Sequence, residues 1–486
     1  MSNDKPVSLN VCPVSTLMDE VCEITCRNLE PHKSTSLLAI IHNDEDATSF
    51  YSLGTFVSDL RGEIDVNRSF SYSGTYTGTE SMGLFWSAIP APDQKGGSRL
   101  IKRVVDVSLD WNLFLIDGCA DEEDVMVVVN HVKRCRARQK KEKVTSGNER
   151  ASTNDGPNSE HLLINDVTLP DNKRVLARAI SKRYYCYPSD VTQTAIRDGR
   201  VRGIVFSLKN KEHESKSKAF GERKGIIEVY GGGSFKLYKA ALLAQRGFVV
   251  FALAYCDYED LPRREINTTV DYFIEAVEYM LSNRFPIRFD VKCGIGLIGL
   301  CKGATLLLEL AAVNPQNAIR CVVAVNAPCF NSIGSFTRAG STENIAHVWN
   351  MKDPLLQKTN IGVISDGLLE WFLRKDPSEQ ERIGIPVERI DAEILFVFGV
   401  DDVSIGVRNM EYMVERMRKR GKDNYKCLVY PGAGHIIDPP IFPLCHASYW
   451  PMFGDVFVWG GLPKLHHDAQ VDSWKRIIEF FKIHLC

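Results

Sequence analysis

The spacing of hydrophobic and polar positions changes twice along the chain. Up to about Gly118 the apolar residues fall in short runs with a period near two. Cys22-Glu23-Ile24-Thr25-Cys26 alternates, Ser36 to His42 does so less cleanly, and Asn43 to Asp46 is a turn cluster. A stretch rich in Phe, Tyr, Ser and Gly follows from Phe50 to Tyr76, and Val104–Leu109 and Asn112–Ile116 read as two more strands. Short strands broken by turn signals predict an immunoglobulin-like β-sandwich over residues 1–118.

Residues 119–172 carry a different pattern. Arg134 to Lys143 is a dense basic run, and Thr145 to Glu160 is polar and rich in Ser, Asn and Gly. Such a block predicts a solvated, partly disordered insertion or linker rather than a nucleic-acid site. From Lys173 to the end, strands and helices alternate. Gly225–Tyr230, Phe248–Ala254, Gly294–Gly299, Cys321–Val325, Ile394–Phe398 and Tyr425–Tyr430 read as strands. Tyr238–Arg246, Tyr272–Ser282 and Lys302–Ala312 read as helices. Strands without a polar face between helices predict a parallel sheet covered on both sides, so residues 173–486 read as one α/β domain.

Composition narrows the class. The 486 residues carry a formal charge of −2, with 44% hydrophobic and 25% charged residues, an ordinary globular balance that gives no global reason to expect nucleic acid as partner. No apolar run reaches the ~18 residues that cross a bilayer, and the first residues read as neither a signal nor a transit peptide. The 14 cysteines are spread thinly, and Cys22 and Cys26 have no second pair at zinc-ligand spacing. They predict buried, reduced thiols and no metal site.

One pentapeptide carries sharper chemistry. Gly299-Leu300-Cys301-Lys302-Gly303 follows an apolar strand and opens a helix. This is a nucleophile elbow with Cys in the reactive position. A nucleophile in a strained turn needs minimal neighbours two residues to either side, and a helix N-terminus behind it favours a thiolate and offers N–H groups to an oxyanion. An acid and then a histidine should follow, each after a later strand. Gly399-Val400-Asp401-Asp402 and Pro431-Gly432-Ala433-Gly434-His435 meet that order. Asp402 is preferred to Asp401 because the acid in such sheets commonly lies three residues past the strand-ending glycine. The backbone of Lys302 is one candidate oxyanion donor. The other comes from Gly231, Gly232 or Gly233, with Gly232 as the working candidate.

Beyond these features the chain resembles the acyl-CoA thioesterase and bile acid-CoA:amino acid N-acyltransferase family. The likeness rests on Gly294 to Gly303, on Ala252-Leu253-Ala254-Tyr255 with Tyr258-Glu259-Asp260-Leu261-Pro262, and on Gly432 to Pro440. Trp459-Gly460-Gly461, Ala469 to Trp474 and Met82-Gly83-Leu84-Phe85-Trp86 add to it. The resemblance implies a β-sandwich followed by an α/β-hydrolase domain, a fatty acyl-CoA substrate, and a triad of Cys301, Asp402 and His435. Coenzyme A then enters as part of the substrate, with no separate cofactor.

Hydrolysis to free fatty acid is the main expectation. Transfer to glycine or taurine is the alternative, since thioesters are open to amines and the family associates Cys with the transferase and Ser with hydrolysis. A catalytically silent binding protein is a third. Some family members end in a Ser-Lys-Leu-type tripeptide; this chain ends His484-Leu485-Cys486, so the expected location is cytoplasmic rather than peroxisomal.

Overall fold

The computed structural model describes residues 5–145, 167–209, 223–232, 235–263, 268–331, 336–345, 355–365, 367–451 and 453–485. The chain forms two compact units. The first takes in residues up to Lys102, Ser108–Tyr184 and Ile441–Pro443; the second takes in Arg103–Val107, Tyr185–Pro440 and the chain from Leu444 onward.

The first unit is β-rich. Ser8–Cys12, Glu23–Arg27 and Ile64–Asp65 form a three-stranded sheet. A larger sheet is built on the hairpin of Ser34–Asn43 and Thr48–Val57, which turns at the polar cluster after Asn43. Leu109–Asp117 adds antiparallel to Ser34–Asn43. Gly83–Trp86 is a single buried helical turn, and Phe85 meets Trp111 edge-on at 5.4 Å between ring centroids.

Three expectations for this part need correction. Of the predicted strand Val104–Leu109, residues 104–108 form a turn although Val105-Asp106-Val107-Ser108-Leu109 alternates, and the strand begins only at Leu109, as Leu109–Asp117. Residues 119–172 are not simply an insertion. Glu122–Thr145 is a helix, and Val125, Val128, Val129 and Val132 pack in one core cluster with Leu38, Ile40, Phe114 and Ile116. Fully burying each valine contributes about 1.5–2 kcal/mol, so the helix belongs to the fold. The basic run ending at Lys143 obscured that spacing. Most of the Thr145–Glu160 stretch lies outside the described residues. The boundary also falls later than 172/173. Val175–Tyr184 pairs with Leu109–Asp117 and Ser15–Leu17, inside the first unit.

The second unit is an α/β-hydrolase fold. Its eight-stranded sheet consists of β1 (Val191–Asp198), β2 (Val201–Leu208), β3 (Gly225–Val229), β4 (Val249–Ala254), β5 (Ile295–Leu300), β6 (Ile319–Val325), β7 (Glu393–Gly399) and β8 (Tyr425–Tyr430). The spatial order is β1-β2-β4-β3-β5-β6-β7-β8. Strands β1, β2 and β4 pair antiparallel, and the pairs from β4 to β8 are parallel. β3, β4 and β5 are buried at every position, which is why their sequences do not alternate. The main helices are α1 (Tyr238–Gln245), α2 (Val270–Leu281), α3 (Lys302–Val313), α4 (Arg408–Lys419) and α5 (Pro463–His484). The loops after β3, β5, β6, β7 and β8 leave the same edge of the sheet, the carboxyl end where sites form in open α/β sheets.

Candidate active site

Cys301 occupies the single residue between β5 and α3, with φ 53° and ψ −126°. A non-glycine residue there stores about 1–3 kcal/mol of strain, held by the surrounding packing. Its N–H donates to Val325 O at 2.9 Å, and its carbonyl accepts from Thr305 N at 3.1 Å. The flanking glycines are sterically required. A Cβ on Gly299 would lie 2.5 Å from Ala304 N, and one on Gly303 would lie 2.2 Å from Val229 O.

His435 sits on the loop after β8, buried at 3% exposure. Its Nδ1 pairs with Asp402 Oδ2 at 2.7 Å. Asp402 Oδ1 in turn accepts from Ser404 N at 2.8 Å and Ile405 N at 3.0 Å, so both carboxylate oxygens are engaged. With Nδ1 held by the acid, Nε2 is left for Cys301. Burial opposes a charged imidazole here, but the Asp402 carboxylate and then Cys301, through charge and hydrogen bonding, outweigh it and raise His435 to about 10. The Trp459 ring stacks on the imidazole with centroids 5.2 Å apart.

Asp401 does other work. Its Oδ2 accepts from Gly432 N at 2.5 Å and its N–H donates to Ala433 O at 3.0 Å, bracing the histidine loop by its backbone.

The loop after β3 runs against Cys301. A Cβ on Gly231 would come within 2.9 Å of Cys301 Cβ and 2.2 Å of Leu300 O. Gly232 has φ 69°, and its carbonyl accepts from Trp450 Nε1 at 3.2 Å. Gly233 lies outside the described residues. Lys302 is the first residue of α3, directly after Cys301. Its side chain is buried, with Nζ 3.4 Å from Asn331 Oδ1 and 5.6 Å from the Phe336 ring centroid. No group of three or more His, Cys, Asp or Glu among the described residues is arranged to hold a metal.

Three contributors were not read from the sequence. Asn326 follows β6, and His466 lies in the first turn of α5; each hydrogen-bonds the loop that carries His435. Trp450 holds Gly232. A polar residue directly after an apolar strand, and a histidine on the apolar side of a terminal helix, were the available signals.

Residues 268–486 match the family described as BAAT / Acyl-CoA thioester hydrolase C terminal. Residues 19–148 match Acyl-CoA thioester hydrolase/BAAT N-terminal region. Acyl-coenzyme A thioesterase 1 of Homo sapiens is 31% identical over 475 residues, covering 96% of this chain and 94% of that one. The Peroxisomal succinyl-coenzyme A thioesterase of Mus musculus is 32% identical over 474 residues, 96% of this chain and 94% of that one. The Bile acid-CoA:amino acid N-acyltransferase of Mus musculus is 30% identical over 483 residues, 98% and 97%. Among solved structures, an esterase of Pyrococcus furiosus aligns at 15% identity and a TM-score of 0.35, covering 61% of this chain and 92% of that one, a likeness too loose to add to the topology. On the match to these relatives along nearly its whole length, the chain belongs to the acyl-CoA thioester hydrolase and bile acid-CoA:amino acid N-acyltransferase family.

Proposed function

We propose that the protein hydrolyses fatty acyl-CoA to free fatty acid and coenzyme A through an acyl-enzyme on Cys301. The observation that carries this reading is His435, buried between Asp402 at 2.7 Å and Cys301 at a nucleophile elbow. His435 takes the thiol proton, while Asp402 orients the ring and stabilises its charged form. The thiolate adds to the thioester carbonyl, and the backbone N–H of Lys302 with one from the Gly231–Gly232 loop faces the oxyanion. The carbon–sulfur bond to coenzyme A breaks, and coenzyme A leaves with the proton from His435. Water, deprotonated by His435, then releases the fatty acid and restores the thiol. Coenzyme A enters as part of the substrate, and no separate cofactor takes part.

The cysteine itself supports a second reading. Its acyl-enzyme is a thioester, open to an amine, and one relative is named an amino acid N-acyltransferase. Glycine or taurine would then replace water in the second half. Palmitoyl-CoA offered with and without each amine, with free acid and amide separated by mass spectrometry, decides between the two. Free acid alone supports hydrolysis, and amide supports transfer. Absence of both products, together with no acyl label on Cys301, would leave a binding protein.

For location, we infer the cytoplasm. No disulfide joins any of the described cysteines, which suits a reducing compartment. No helix among the described residues is long and apolar enough to cross a membrane.

A further inference from the structure

His435 lies on a loop with glycine at 432 and 434, a backbone with much freedom to lose. Two buried side chains from separate elements take up that freedom. His466, 1% exposed, receives the Gly434 N–H at Nδ1 (3.0 Å) and donates from Nε2 to Ile436 O (3.0 Å). One imidazole thus grips the peptide groups on both sides of His435. The pattern requires a neutral ring with its proton on Nε2. Burial pushes His466 down to about 4 against the pull of Asp438, which keeps it neutral through the working range.

Asn326, fully buried, completes the grip. Its Nδ2 donates to His435 O at 2.6 Å and Gly434 O at 3.3 Å, while its Oδ1 accepts from Gly399 N at 2.9 Å. Its own N–H donates to Val397 O, and the preceding carbonyl, of Val325, accepts from Cys301 N. The end of β6 therefore touches the elbow, the acid-bearing strand and the histidine loop. The His435 N–H, bonded to Trp459 O at 2.9 Å, is held as well.

We propose that His466 and Asn326 are positioning residues: together they fix the peptide groups of residues 434–436, so that the His435 imidazole stays in line between Asp402 and Cys301. This rests on Cys301 and His435 being nucleophile and base. A misplacement of about 1 Å in such a pair costs on the order of 100-fold in rate.

The test reads the Cys301–His435 coupling without relying on the substrate. Cys301 alkylation by iodoacetamide is followed against pH and located by peptide mass spectrometry, beside kcat and KM for palmitoyl-CoA. His466→Phe keeps ring volume and removes both bonds. Asn326→Asp keeps the acceptor for Gly399 and removes the donor. Each should lose about ten-fold or more in both alkylation at neutral pH and kcat, with KM within about two-fold and an alkylation profile moved towards that of an ordinary thiol. His466→Gln, whose amide can accept from Gly434 N and donate to Ile436 O, should recover most of the loss. Should His466→Phe fail to fold, Asn326→Ser, which shortens the other arm, carries the same expectation. Folded variants whose alkylation profile overlays the native one overturn the inference, even if they melt earlier. A native Cys301 with a His435-dependent profile but no acyl-CoA cleavage sinks the proposed function and leaves this inference standing.

Discussion

Asp401 and Asp402 are consecutive, yet Asp402 reaches the imidazole of His435 while Asp401 turns to the backbone of Gly432. One loop after β7 thus supplies both a partner for the histidine side chain and a support for the strand end that leads to it. The two carboxylates should separate cleanly in mutagenesis. Asp402→Asn should lower kcat by roughly 10⁴-fold, the usual loss of a triad acid, whereas Asp401→Asn should cost about ten-fold or less. Coenzyme A release from palmitoyl-CoA measures both. The larger loss at Asp401 would move the acid by one residue.

Replacing sulfur by oxygen probes the second half-reaction. Cys301→Ser turns the acyl-enzyme into an oxygen ester, which is less open to amines, while His435 can still activate water. If the native protein makes amide, the variant should keep acyl-CoA cleavage and shift towards free acid at matched coenzyme A release. An amide-to-acid ratio that survives the swap would place the choice in an acceptor pocket instead of the sulfur. Cys301→Ala should release no coenzyme A.

Trp450 holds the loop after β3. Its Nε1–H holds the Gly232 carbonyl, and its ring lies 3.7 Å from where a Gly232 Cβ would be. Trp450→Phe keeps an aromatic wall and releases the carbonyl. Removing a direct oxyanion donor costs about 10²–10³-fold, so loosening the loop that bears one should cost less, about ten-fold in kcat with little change in KM. Steady-state kinetics check this, and a loss confined to KM would assign the ring to substrate binding.

Glu228 in β3 is buried within the second unit. Burial first, and then Asp438, raise its carboxyl to about 8, while Lys239 pulls the other way. The unfolded chain, with an ordinary glutamate near ~4.3, gives up that proton first. Stability therefore falls as pH climbs from about 4.5 towards 8, by roughly 3–5 kcal/mol at about 1.4 kcal/mol per unit. Glu228→Gln cannot ionise, so its Tm advantage over the native protein should widen between pH 5 and 8. A constant gap across that range would mean that the folded protein carries Glu228 ionised.

The helix Glu122–Thr145 gives a prediction for the first unit. Val128 is fully buried in its core cluster. Val128→Asp places a carboxylate there without a partner and should cost about 3–5 kcal/mol or abolish soluble expression. A stable, soluble variant would show that the helix merely rests on the surface.

What the sequence could show follows the physics of each signal. The six strands read from Gly225 onward stand within about two residues of their predicted ends, because each is an apolar run cut off by glycine or a polar turn. The antiparallel pair β1 and β2 also went unread: β1 is polar and partly exposed at the sheet edge, whereas β2, one place further in, is mostly apolar and buried. Gly299 and Gly303 could be named because backbone contact forbids a Cβ there. The choice between Asp401 and Asp402 could only be argued by analogy, since one residue of rotation along a loop decides which carboxylate meets the ring. Asn326 and His466 stand out only as polar residues in apolar settings; their partners are main-chain atoms, so side-chain identity does not say what they hold. At Glu122–Thr145 the signal was present: Val125, Val128, Val129 and Val132 follow helical spacing, but the charges beside them dominated the composition.

The site is assembled in the order in which the chain is made. Cys301 comes first, Asn326 and Asp402 follow, then His435, and His466 comes last on α5. A nascent chain that has emerged as far as β7 already carries the elbow but has neither a base for its thiol nor the helix that would hold one. On the proposed reading, a chain cut short before that helix would hold Cys301, Asp402 and His435 yet lack the His466 imidazole that grips the histidine loop.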